Sequence, residues 1–177
     1  MDSRLLDIIR SRRSIRKYNS RPVEKEKIIK MAEAARLAPS ASNGQPWRFF
    51  AVEDSDNLKA VVSSLGKINS WAKTAPLIII GCSIRVSVVH YMAGMLKGVK
   101  YYMIDLGIAM EHMVLVAAEM DLSTCWVGWF DERKIKKILD IPSGWKVVSV
   151  LTVGYAAGGL KPRAKKTLPI EEILSFK

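Results

Sequence analysis

Cysteine and histidine are scarce in this chain: Cys82 and Cys125 are the only thiols among 177 residues, and His90 and His112 the only imidazoles. Two thiols so far apart exclude a disulfide framework, and so little histidine excludes a cluster at metal-ligand spacing. This cysteine usage suits a reducing, cytoplasmic compartment. The charged start MDSRLLDIIRSRR lacks an apolar stretch of signal length, which argues against an export signal. The longest apolar segment, 101–120, is interrupted by Asp105, Glu111, His112 and Glu119, so it reads as a buried helix and not a membrane span. Internal repeats, low-complexity tracts and a Pro/Gly linker are also missing, which leaves one domain over 1–177 as the expectation. Acidic residues are in deficit, with 17 Asp and Glu against 28 Lys and Arg, a formal charge of +11 and a pI of about 9.8. Such a surplus attracts phosphate groups, acidic metabolites, nucleic acid or an acidic membrane, and does not choose among them.

What is present is clear apolar periodicity. Leu5, Leu6, Ile8 and Ile9 mark a first amphipathic helix; Ile28, Met31, Ala32 and Ala35 mark a second, preceded by Pro22 and ended by Pro39. WRFFAVE (47–53) reads as a strand. SDNLKAVVSSLG follows as a helix that Gly66 stops, and a buried strand is expected over Leu77–Cys82. The run 101–120 is apolar nearly all round and belongs at the core or at a subunit interface. A short strand at 124–127, a helix from Asp131 as N-cap to Leu139, and a strand over Val147–Val153 complete the pattern. Helices and strands alternating irregularly point to an α+β layered sandwich. A Rossmann fold would need a G-x-G-x-x-G fingerprint, and GYAAGGL (154–160) lacks that spacing and reads as a loop. Residues 84–100 show no clean period and are expected to form a lid.

Three segments carry chemistry. Arg12, Arg13, Ser14 and Arg16 bring forked guanidinium donors and a hydroxyl into one short stretch, which suits bidentate phosphate binding; a solvated basic turn is the alternative. A second basic group, Lys161, Arg163, Lys165 and Lys166, follows the last strand, and would otherwise be a frayed tail. Between them APSASNGQPW (38–47) offers Ser40, Ser42, Asn43 and Gln45, whose mixed donors and acceptors suit a flat heteroaromatic ligand, although its Pro and Gly also mark an ordinary helix-to-strand turn.

Taken together, RRSIRKY, APSASNGQPW, NSWAKTAPLIII, DLGIAMEHMVLVAAEMDLSTCWVGWF and the late KPR resemble the FMN-dependent nitroreductase family, in family order and over nearly the whole chain. The resemblance implies a three-layer α-β-α sandwich with a mainly antiparallel central sheet. It also implies a domain-entwined homodimer with FMN at its interface and a C-terminal arm over 160–177. By match, Arg12, Arg13 and Ser14 take the FMN phosphate and ribityl chain, and Lys161 and Arg163 are further phosphate ligands. Arg16 matches the basic position at the flavin pyrimidine edge. Pro39, Ser40, Ala41, Asn43 and Gln45 match the turn that reaches the flavin across the interface, with Ala41 where the family commonly has serine. Asn69 matches an asparagine near the flavin and would otherwise be a loop or helix-end residue; Lys73 is a second candidate cation there and would otherwise be an exposed lysine. Cys125, Trp126, Val127 and Gly128 match the segment along the isoalloxazine ring, with the Gly128 N–H toward flavin N5; a buried strand end would look the same.

The implied activity passes electrons from NAD(P)H to an electron-poor acceptor, such as a nitroaromatic or a quinone, by a ping-pong mechanism. The cofactor then carries the chemistry and no catalytic side chain is required. His112 is expected in the core or an interface, whereas His90 and Tyr91 sit in the expected lid near substrate. Two rivals stand beside this reading. One is a specialised enzyme on the same scaffold (reductive dehalogenation, flavin fragmentation or azoline oxidation), because 177 residues is short for the family and implies a trimmed lid. The other is a basic nucleic-acid-binding protein, disfavoured because aromatics are not interleaved with the basic clusters.

Overall fold

The computed structural model describes residues 3–84, 98–158 and 165–177. Its helices are α1 (Arg4–Ser11), α2 (Lys25–Arg36), α3 (Ser55–Ser63), α4 (Tyr101–Glu119) and α5 (Glu132–Ile138). The strands are β1 (Trp47–Val52), β2 (Leu77–Ser83), β3 (Ser123–Val127) and β4 (Lys146–Gly154), with short 3-10 turns at Ala41–Asn43, Lys67–Thr74 and Ile170–Glu172. Four strands pair in the order β1-β2-β4-β3, all antiparallel. This is the expected α+β sandwich, and each predicted element appears within a residue or two of its expected bounds. The expected lid falls largely on 85–97 and, like Lys161 and Arg163, lies outside the described residues.

Two apolar layers enclose the sheet. Leu77, Ile79, Leu151 and Val153 face one side, packed with Met31, Ala35, Leu106, Met110 and Met113 of α2 and α4. Ile78, Ile80, Val147 and Val150 face the other, packed with Val61, Ala72 and Ile135. Alternation along β4 is interrupted because Gly81 pairs with Ser149 while Cys82 pairs with Val147. Val148 is thus the extra residue of a bulge, which brings Val147 back into phase with Val150.

Local chemistry sets the helix ends. Asp54 and Asp131 act as N-caps, accepting from Asn57 N and Lys134 N respectively. Gly66 follows the end of α3 at φ 73°, a left-handed conformation that suits glycine. Helix α4 is long and apolar enough to suit a membrane span, yet its stripe from Leu106 to Ala117 is buried against α2 and the sheet. His112 is half-buried there, with Nδ1 3.2 Å from Ala34 O. Two expectations need adjusting. Ala32 is exposed, and α1 buries none of its residues, so its apolar face with Leu5 and Leu6 stands open.

The end of β4 is packed without slack. A Cβ on Gly154 would stand 2.6 Å from Pro76 Cδ and 3.0 Å from Tyr18 Cδ1. Pro76 is a rigid ring, so Gly154→Ala is expected to cost about 1–3 kcal/mol, read from the urea unfolding midpoint; an unchanged midpoint would show that the end of β4 yields freely.

Candidate functional site

The first basic cluster follows α1 as extended chain held by the sheet. Ser14 bridges to Thr124 in parallel fashion, and Tyr18 to Ala156 in antiparallel fashion. Main-chain bonds run from Ile15 N to Thr124 O at 3.1 Å, from Asn19 N to Tyr155 O at 3.0 Å and from Ala157 N to Lys17 O at 3.0 Å. The Tyr18 side chain is buried and its hydroxyl lies 2.8 Å from Thr152 Oγ1. Burial pushes the phenol far above its ordinary pKa, so it stays a neutral anchor.

This anchoring opens a cavity of about 220 Å³ at the exit of α1, lined by Arg12, Arg13, Asp121, Ser123, Thr124 and Ala156, among others. Arg12 and Arg13 are half-buried. Arg13 also serves α1 itself, donating from Nη1 to Arg10 O and, at 2.9 Å, to Arg12 O. Lys165 of the second basic group donates to Ile9 O at 3.4 Å, so cations from both ends of the sequence meet at the last turn of α1.

Ser14 and Arg16 continue along β3. Cys125 is buried, and burial raises its thiol pKa; the Arg16 charge, a Ser14 hydrogen bond and the Arg12 charge pull it partly back. All three therefore lie close to this strand. Arg16 stands over Trp71, 5.7 Å from the ring centroid. Asn69 donates to Leu65 O at 2.9 Å and to Trp129 O at 3.2 Å, tying the 3-10 turn to the segment after Gly128. Trp126 and Val127 point to opposite core layers, Gly128 is exposed, and Trp129 is 76% exposed above Gly66. Lys73 is exposed on the same 3-10 turn.

The 39–45 turn lies elsewhere. Ala41 N donates to Asp105 Oδ1 at 3.0 Å near the start of α4, whereas the cavity touches Ala118 near its end, about 20 Å away at ~1.5 Å rise per residue. The turn also feeds β1 on one edge of the sheet while β3 forms the other, about 14 Å apart at ~4.8 Å per strand spacing. One chain therefore brings Arg12, Arg13, Ser14, Arg16, Asn69 and Cys125–Gly128 together and leaves Pro39, Ser40, Ala41, Asn43 and Gln45 apart from them. The turn is tightly specified all the same. Ser42, Asn43 and Gln45 have φ of 48°, 53° and 46°, held by Gln45 N on Ser40 Oγ and by the Gln45 amide on Asn43. In the sequence Asp105 reads only as an interruption of an apolar run. Its buried carboxylate is what fixes the turn, and a lone acid early in an apolar helix was the available signal.

The nitroreductase family model matches residues 9–155. The chain belongs to the nitroreductase family. That membership makes it an oxidoreductase by class. It is 31% identical over 154 residues to the Archaeoglobus fulgidus protein named "Putative NADH dehydrogenase/NAD(P)H nitroreductase", covering 85% of this chain and 84% of that one. It is 27% identical to the FMN reductase [NAD(P)H] of Bacillus subtilis, over 91% of this chain and 68% of that one. The crystal structure of a nitroreductase family protein from Clostridium novyi NT superimposes with a TM-score of 0.79 at 29% identity, over 88% of this chain and 87% of that one. Specialised relatives are similar too: the 5,6-dimethylbenzimidazole synthase of Rhodospirillum rubrum at 25% identity (93% of this chain, 85% of that one) and the iodotyrosine deiodinase of Thermotoga neapolitana at 24% (85% and 88%).

Both cysteines are buried, free thiols, and burial pushes Cys82 up to about 12. Only the thiolate is nucleophilic, and a raised pKa postpones its formation to higher pH. A thiol reagent at pH 8 should therefore leave the native protein untouched and titrate both thiols after denaturation. Rapid native labelling would contradict the burial of both.

Proposed function

We propose that the chain is an FMN-dependent NAD(P)H oxidoreductase acting as a homodimer with an FMN site at each side of its interface. The observation that carries this reading is the cavity at the exit of α1, lined by Arg12 and Arg13, with Lys165 from the other end of the sequence bonded to Ile9 O of the same helix. Guanidinium forks and a cavity of about 220 Å³ fit a terminal phosphate. Arg12, Arg13, Ser14, Lys161 and Arg163 are the proposed phosphate and ribityl ligands. Cys125, Trp126, Val127 and Gly128 line the ring, with Asn69 nearby and Arg16 at the pyrimidine edge, where a cation favours the anionic reduced form. The Bacillus subtilis relative, by its name an FMN reductase, supports the choice of cofactor.

FMN bound here would supply the redox chemistry of a ping-pong exchange between NAD(P)H and a nitroaromatic or quinone acceptor. The chain's own work is to bind, orient and shield. Arg12 and Arg13 fix the phosphate end, the buried face of β3 excludes water, and the Gly128 N–H offers a hydrogen bond free of side-chain bulk.

The second copy is argued from what one chain leaves apart. The 39–45 turn is rigid yet remote from β3, and a two-fold-related partner supplies it to the neighbouring site. Apolar surface also awaits cover. Leu5 and Leu6 are exposed on α1, Ile104 on α4, and Leu168, Ile170, Ile173, Leu174 and Phe176 on 165–177, which serves as the arm over the partner. The free thiols accord with a reducing, cytoplasmic setting. A specialised reaction on the same scaffold is the second reading, supported by the synthase and deiodinase relatives; anaerobic reduction of bound flavin by NADH and NADPH separates the two.

Titration with FMN should give a bound-flavin spectrum, and Arg12→Ala should weaken binding by about 10- to 100-fold, the loss of one charged hydrogen bond. Equal affinity in the variant would remove the phosphate assignment, and a colourless, non-binding protein the flavin itself. Sedimentation equilibrium should return twice the 19.8 kDa chain mass; a monomer with full FMN affinity would refute the shared site.

A further inference from the structure

Behind the phosphate cavity lies a polar cluster to which nothing above gives a role. The Tyr155 hydroxyl accepts from Lys27 Nζ at 3.0 Å and donates to the Glu24 carboxylate. The same ammonium donates to Met120 O at 2.8 Å, just beyond α4. Arg21 pairs with Glu24 and stands 4.1 Å from the centroid of the Tyr155 ring, which Lys27 also approaches at 5.1 Å. The Tyr155 hydroxyl, with help from Arg21, holds the Glu24 carboxyl at about 2, so Glu24 remains an acceptor throughout the neutral range.

The sequence neighbours of this cluster are walls of the cavity. Met120 precedes Asp121 and Leu122, Tyr155 precedes Ala156, and all three of those following residues line it. Asp121 has φ 61°, a left-handed conformation that a non-glycine residue keeps only when its surroundings hold it there. The bond from Lys27 to Met120 O is one such restraint. The Tyr155 main chain faces the other way, its carbonyl accepting from Asn19 N in the segment that continues from Arg12–Arg16. Tyr155 is thus the node at which the exit of α4, the exit of β4 and the basic segment are joined.

We propose that Tyr155, through Lys27 and Glu24, is a positioning residue for the phosphate cavity, setting the spacing between its Asp121 and Ala156 walls and the basic segment. The inference rests on the FMN reading above and adds a residue that touches no part of the cofactor. It makes a prediction that depends on the phosphate alone. Riboflavin shares the ring and ribityl chain of FMN and lacks the phosphate, so the ratio of the two affinities isolates the cavity.

Tyr155→Phe keeps the ring under Arg21 and removes both hydroxyl bonds. Fluorescence titration of the full chain should show FMN binding weakened by roughly 2- to 30-fold, the range for residues that tune a site without touching its ligand, with riboflavin affinity unchanged. Lys27→Met should act in the same direction and serves if the first variant does not fold. Equal losses for both ligands, or no loss for either, overturn the proposal by reducing the cluster to general scaffolding. A wild-type chain that binds neither flavin removes the FMN reading and this inference with it, whereas wild-type FMN binding with an unchanged ratio in Tyr155→Phe removes this inference alone.

Discussion

Strands β2 and β4 run antiparallel through the middle of the sheet with both faces out of water, so each side chain along them must be apolar or hydrogen-bonded in place. β2 meets the demand with LIIIGCS, buried at every position. β4 carries two buried polar side chains, Ser149 and Thr152; Thr152 donates to Cys125 O and lies against the Tyr18 hydroxyl. That small polar junction couples the centre of the sheet to the strand and the segment that flank the candidate site. The helical layers follow from the same constraint, since α2 and α4 on one face and α3 and α5 on the other complete the burial.

Against this apolar frame the charges divide into two populations. Pairs such as Arg36–Glu33 and Lys59–Asp56 decorate exposed helix faces, where water screens them and their contribution to stability is small. Arg12 and Arg13, half-buried, instead line a cavity, where charge acts through less water, and Arg16 lies close to the buried Cys125 of β3. The net surplus of +11 therefore matters less as a total than for where these few cations are held.

The 39–45 turn stores backbone strain at a point remote from β3. Several left-handed non-glycine residues in so short a span cost about 1–3 kcal/mol each, and bonds to Asp105 and Ser40 sustain them. The exposed apolar surfaces of α1, α4 and the C-terminal segment place unsatisfied burial in the same molecule. The proposed homodimer would account for both features, with a symmetric partner covering the apolar surface and receiving the turn.

Much of this was legible in sequence order alone. The period of apolar residues located α2, α4 and both central strands, Asp54 and Asp131 stood at helix starts, and the family motifs occurred in register, because each of these signals lies within a few neighbouring residues. The bulge at Val148 was not legible, since its register depends on the partner strand. Nor was the double duty of Arg13, or the separation of the turn from β3, which depends on where α4 and the sheet edges carry each segment. Tyr155 is the clearest case. Its hydroxyl meets Glu24 across 131 positions, a pairing with no local periodicity to announce it. The amino-acid sequence by itself determined which segments become helix or strand and which residues are chemically equipped to meet an anion. Only the tertiary structure decided which of them share a site, because long-range hydrogen bonds and two-sided burial, not proximity along the chain, bring them together.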